Sequence, residues 1–143
     1  MKKIFCIVCF VLLLCSQALA STPDYQRVPV NSTSFPDDGF REWVRKKYDK
    51  NKDGWLSDKE LNAVKTMTVS GTVSGIEIKS LEGIDNFPFL TTLTCSKTGI
   101  TELTFNNDTV KTLTISNNSS LRKLDVSNNP SMTKLTIQGN HNL

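Results

Sequence analysis

Residues 90–142 read LTTLTCSKTG, ITELTFNNDT, VKTLTISNNSS, LRKLDVSNNPS and MTKLTIQGNHN when the chain is broken before Leu90, Ile100, Val110, Leu121 and Met132. Each string opens on an apolar residue and carries Leu at its fourth position. The sixth positions are Cys95, Phe105, Ile115, Val126 and Ile137, and the ninth are Thr98, Asp108, Asn118, Asn129 and Asn140. A looser copy, VKTMTVSGT, begins at Val64. Self-similarity at a fixed period outranks local propensity, because it is the mark of a repeat architecture. Positions four and six lie two apart, so both point to one side of a short strand and the residue between them points to the other. The Asn-rich stretches suit turns, since Asn tolerates unusual backbone angles and bonds nearby amides. One unit is too short to close around a core. Two units together make one coil, and stacked coils pair parallel strands over columns of Leu, Ile and Val.

The stretch SLEGIDNFPFLTTLTCS, followed by ITELTF, resembles exported bacterial leucine-rich repeat proteins, with their LxxLxLxxNxL signature and an internalin-like S-L-E-G-I entry turn. A two-unit coil of about 21 residues falls within the range of roughly 20–29 for such repeats. Thr98 and Asp108 depart from the pattern, which prefers Asn there. Upstream, FPDDGFREWVRKKYDKNKDGWLSDKEL resembles the short EF-hand-type module that precedes such repeats. The expected fold class is α+β: a helix-loop-helix, EF-hand-like cap over residues 35–63, then a parallel leucine-rich-repeat solenoid over 64–143. Leu143 takes the first position of a further unit, so the solenoid is expected to be uncapped at its C-terminal end.

The pattern over 35–63 supports that cap. Phe40, Trp43, Val44 and Tyr48 form one helical stripe. Pro36 suits a first turn, Asp37 and Asp38 complement the positive end of the helix dipole, and the helix should end near Tyr48. Gly39 inside it costs about 1 kcal/mol relative to Ala. A second short helix should follow Ser57 and turn Leu61 and Val64 inward.

Between the helices lies DKNKDGWLSDKE, residues 49–60. Asp49, Asn51 and Asp53 occupy loop positions one, three and five, and Gly54 sits at six, where the chain must turn sharply. Trp55 at seven would offer its backbone carbonyl, Ser57 would bind directly or through water, and Glu60 at twelve would bind with both oxygens. Hard oxygen donors at this spacing suit Ca²⁺, and the absence of His or Cys nearby argues against Zn²⁺. Ser57 and Glu60 also form a Ser-x-x-Glu capping box, and the two roles are compatible. Lys50, Lys52 and Lys59 stand at non-ligand positions. A single loop without a Met-rich groove does not suit a sensor, and a scaffold-docking module of this kind needs two tandem loops. The calcium is therefore expected to clamp two short helices over the open N-terminal end of the solenoid.

Residues 1–20, MKKIFCIVCFVLLLCSQALA, have a basic start, a short apolar run and small residues at Ala18 and Ala20, the pattern of a secretory signal cleaved after Ala20. Residues 21–34 are polar with two prolines and read as a flexible leader. The formal charge of +3 for the 143 residues includes Lys2 and Lys3 of the signal, so the remainder is near neutral. Nothing in that balance favours nucleic acid, and no membrane insertion of the mature chain is expected. Three of the four cysteines lie in the signal, leaving Cys95 and no intrachain disulfide. Cys95 falls at a core position and the only His, His141, in a terminal turn, so no nucleophile-base set assembles and no enzyme activity is expected. Asn-x-Ser/Thr sites at Asn31, Asn107, Asn117 and Asn118 are expected by chance in Asn-rich turns.

The chain thus reads as a secreted or cell-surface, calcium-stabilised repeat module that binds a protein or glycan. The outward residues Thr91, Thr92, Glu102, Lys111, Arg122, Lys123 and Lys134 are mixed and carry no aromatic anchor. A structural or capping fragment of a longer surface protein is the second reading. Thr92-Leu-Thr94 and Thr112-Leu-Thr114 fall on alternate units, as in the flat Thr-x-Thr arrays that bind ice, but two rungs are also what the strand propensity of Thr produces.

Overall fold

Residues 27–143 are described by a computed structural model. The expected signal segment lies outside them, as do residues 21–26 of the expected leader. A short strand β1 (Val28–Pro29) opens the described chain. It is followed by helix α1 (Asp38–Tyr48), strand β2 (Trp55–Leu56) and helix α2 (Asp58–Ala63). Then come β3 (Thr66–Ser70), the small hairpin β4 (Thr72–Val73) and β5 (Ile76–Glu77), and a 3-10 turn at Ile84–Asn86. Five further strands complete the chain: β6 (Thr92–Ser96), β7 (Glu102–Thr104), β8 (Thr112–Ser116), β9 (Lys123–Asp125) and β10 (Lys134–Gln138).

The repeats build a parallel β-solenoid of about three turns. Alternate units share a sheet. One sheet has the order β10-β8-β6-β3 and the opposite one pairs β7 with β9, all in parallel. Two units therefore make one coil, as the spacing implies. The first four-stranded rung is Thr66–Ser70, a little after the Val64 start read from the sequence; Val64 instead caps the end of α2. Inward residues Met67, Leu93 and Leu113 form one buried column, and Val69, Cys95 and Ile115 the next. At the β10 end the same columns continue through Leu135 and Ile137, which are 41% and 47% exposed.

Asn side chains stitch the turns. Asn118 accepts from the Thr98 backbone N–H at 3.0 Å and hydroxyl at 2.7 Å, and donates to the Cys95 carbonyl at 3.2 Å. Asn140 repeats this one coil on, donating to the Ile115 carbonyl and accepting from the Asn118 backbone N–H. On the other edge Asn129 donates to the Phe105 carbonyl and accepts from the Asn107 backbone N–H. The buried residue of the second unit is thus Asn107, one before the Asp108 picked by simple counting, and Asp108 is exposed. The ten-residue unit reaches its turn one residue earlier, so no departure from Asn occurs at that rung.

The outward residues do not share one face. On the four-stranded side they form rows in register: Thr66–Thr92–Thr112–Lys134, Thr68–Thr94–Thr114–Thr136 and Ser70–Ser96–Ser116–Gln138. Glu102, Lys123 and Asp125 stand on the small opposite sheet, where Lys123 Nζ lies 4.0 Å from Glu102 Oε2.

The N-terminal module joins the solenoid through one continuous core. Asp37 caps α1 by accepting from Phe40 N–H at 2.7 Å, so Pro36 precedes the cap and does not enter the first turn. The same carboxylate accepts from Lys79 N–H at 3.1 Å, tying the helix to the solenoid entry. Phe35 and Tyr48 both pack on Phe87, at 6.2 and 5.3 Å between ring centroids. Gly39 explains itself here. A Cβ on it would lie 2.6 Å from the Glu77 carbonyl oxygen, so only glycine lets α1 come this close to β5. The described part of the expected leader is tied down: Val28 pairs with Leu56, Val30 is buried, and Ser34 packs against Gly83. Its alternating Val28, Pro29 and Val30 are enough for two residues of edge strand, which a reading weighted on prolines and polar residues passes over.

Candidate metal centre

Helix α1 delivers Asp49 at its C-terminal cap, and Ser57 starts α2, so the loop between them is fixed at both ends. Lys52 and Gly54 have φ of +59° and +82°, which folds the loop tightly over Asp49. Asp49 is 4% exposed. Its two oxygens accept from Asp53 N–H at 3.2 Å and Gly54 N–H at 3.0 Å. Asn51 Oδ1 also accepts from Asp53 N–H, and Asp53 Oδ1 accepts from Trp55 N–H at 2.8 Å. Asn51 Nδ2 donates to Asp53 Oδ2 at 3.0 Å. Asp49, Asn51 and Asp53 are therefore brought together by shared amides.

Ser57 and Glu60 form a second group. Glu60 accepts from the Ser57 N–H at 2.9 Å and hydroxyl at 2.7 Å, while Ser57 Oγ accepts from Glu60 N–H, completing the capping box. The other oxygen of Glu60 reaches back to Lys50 N–H at 2.7 Å. Partial burial pushes the Glu60 carboxyl up, but these hydrogen bonds outweigh it and hold the group below its ordinary value. Asn51, Ser57 and Glu60 line a cleft of about 620 Å³ floored by Tyr48, Ala63 and Val64. Burial pushes the Tyr48 hydroxyl up to about 12.

Trp55 sits in β2, opposite Pro29 of β1. The neighbouring contact is Val30 N–H to the Gly54 carbonyl at 2.9 Å. In an antiparallel pair such contacts alternate, so the backbone groups of Trp55 face away from β1 and toward the loop. Proline suits position 29 for the same reason, since no N–H is needed there.

All six sequence-derived candidates thus lie on one short loop, and every donor is a hard oxygen. The oxygens of Asp49, Asn51, Ser57 and Glu60 and Oδ1 of Asp53 are turned to backbone N–H groups within the loop and the start of α2. Among the described residues, no three His, Cys, Asp or Glu side chains converge as a ready cage for a metal ion. Sequence reasoning missed Arg27, whose Nη2 lies 2.6 Å from Asp53 Oδ2 and whose guanidinium stands 5.5 Å from the Trp55 ring centroid. It lies in the polar leader, twenty-six positions before Asp53, and nothing in the loop spacing signals it.

Elsewhere, Cys95 is buried in the solenoid wall, where burial pushes its thiol up to about 11 against a lowering hydrogen bond with Thr98. His141 is exposed in the last turn. No helix among the described residues is long and apolar enough to cross a membrane. No family model and no curated protein matches the chain.

Proposed function

We propose that this chain is an exported leucine-rich repeat binding module whose EF-hand-like cap is stabilised by calcium. The observation that carries the calcium reading is the loop itself, with Asp49, Asn51 and Asp53 gathered on shared amides and Glu60 folded back to Lys50 N–H. Asp49, Asp53, the Trp55 carbonyl and Glu60 would hold the ion, with Asn51 and Ser57 completing an oxygen shell. A bound Ca²⁺ would supply positive charge that neutralises three carboxylates, and the side chains would exchange loop amides for the ion. The role is structural. Strand β1 occupies the open edge of β2, so that edge is not free to pair with a second loop.

Thermal melting in calcium against chelator tests this. The expected result is a higher midpoint in millimolar calcium, because a ligand of the folded state stabilises it by mass action. Asp49→Ala and Glu60→Ala should each abolish the shift, while Lys50→Ala should keep it. An identical midpoint with and without the ion would refute the clamp.

Recognition of a protein or cell surface is assigned to the outward residues of the solenoid strands, among them Thr92, Glu102, Lys123 and Lys134. Labelled protein should bind cell envelopes saturably, with unlabelled protein competing. Absence of competed binding would favour the second reading, a structural segment of a longer surface protein.

A further inference from the structure

The outward face of the four-stranded sheet is a two-dimensional array dominated by hydroxyls. Ten of its twelve positions carry Thr or Ser, in the three rows given above. The rung Thr66-Met67-Thr68, which repeat spacing leaves out of the array, is in full register with the other two. Neighbouring hydroxyls are separated by about 4.8 Å across strands and by about 6.6 Å along them, because strands pair at the first distance and alternate residues repeat at the second. No charged side chain stands on the first three rungs, in a chain that is 22% charged.

Two further observations mark the array. None of the ten hydroxyls takes part in a hydrogen bond among the described residues, whereas Thr91 and Thr133, just off the face, spend theirs on the Lys65 and Lys111 carbonyls. The Thr and Ser residues of β6 and β8 are half-buried although they point outward, since their neighbours on the next rung cover their flanks. Thr is restricted at χ1, so methyl and hydroxyl are held in repeated positions before any ligand arrives.

We propose that this face binds crystalline water. A ligand matched to it must itself repeat in two dimensions, which a single glycan chain or peptide does not. It must be uncharged, which excludes an ionic mineral. The face offers no aromatic platform or amide fork on its first three rungs with which to grip a sugar ring. Ice meets each condition: its surface is a neutral lattice of hydroxyl donors and acceptors, which rows of hydroxyls can join while methyls exclude disordered water between them. The inference rests on reading the chain as a binding module and is independent of the calcium loop.

The test is partition of fluorescently labelled protein into a slowly grown ice shell, with inhibition of ice recrystallisation as a second readout. Wild type should be enriched in the ice severalfold over the double variant Thr94→Tyr/Thr114→Tyr, which breaks the central row with residues that keep strand propensity. Thr104→Tyr, on the exposed face of β7, should behave as wild type. Thr94→Lys should lose enrichment as well, and it guards against a folding failure of the double variant, provided its melting midpoint is unchanged. Wild type excluded from ice, or retained no better than the two central-row variants, would overturn the proposal and leave the Thr rows as strand propensity alone. Retention on insoluble cellulose or chitin together with exclusion from ice would overturn it in favour of a glycan. Either failure leaves the calcium shift and the competed envelope binding to be judged on their own results.

Discussion

Gly39 shows how a residue that looks wrong locally is right globally. Helix propensity favours Ala there by about 1 kcal/mol, yet the added Cβ would meet a backbone carbonyl that cannot rotate away. Gly39→Ala should therefore destabilise by about 1–3 kcal/mol, the usual cost of overpacking, as read by urea unfolding. A gain in stability would mean that α1 and β5 separate without penalty. Cys95 is a second residue-scale case. With its thiol pushed up to about 11 and its sulfur inside the wall, it should resist iodoacetamide at pH 8 while folded and react promptly in denaturant. Rapid labelling of the folded chain would show that the β6 rung opens. Asn118 and Asn129 were legible as turn residues, but their partners were not. Each bridges to the coil before it, across twenty or more positions.

The loop and α2 act as one element because Glu60 serves both. The folded-state carboxyl is held below its ordinary value, so it contributes stability above the unfolded value and loses it as pH falls through the folded one. In chelator, the gap in melting midpoint between wild type and Glu60→Gln should close as pH drops across the carboxylate range, roughly pH 5 to 2. A constant gap would place the contribution in packing and not in charge. The loop's candidate residues were legible at this scale because their pattern is local: twelve consecutive residues carry all of it. Arg27 and β1 were not, because they reach the loop from outside it. Strand β1 covers β2, and Arg27 just before it brings a guanidinium against Asp53.

Across the whole molecule, position along the solenoid decides what a core residue is worth. Leu113 and Leu135 hold the same place in the repeat and pair in register, yet Leu113 is fully buried and Leu135 is 41% exposed. Leu113→Ala should cost about 2–5 kcal/mol by the cavity it leaves, and Leu135→Ala should cost less than half as much. Equal costs, measured by denaturant unfolding of both variants, would show that the end coil is covered in solution. The same difference separates Ile115 from Ile137. Repetition tells which residues face inward, but the neighbour on the next rung supplies the burial.

Periodicity and spacing were enough to reach the parallel solenoid, its two-unit coil, the inward columns and the two helices with a loop between them before it. Each of these follows from a period or a spacing within one short window, and steric preference converts period directly into direction. It took the assembled coils to show that Glu102, Lys123 and Asp125 stand on the sheet opposite the hydroxyl rows, that Thr66 and Thr68 complete a third rung, and that residues 28–34 brace the cap. The tertiary structure also decided that Gly39 must remain glycine. These depend on which segments are brought beside one another in space. Register between strands twenty or more residues apart is fixed by packing and shared hydrogen bonds, which no local pattern encodes.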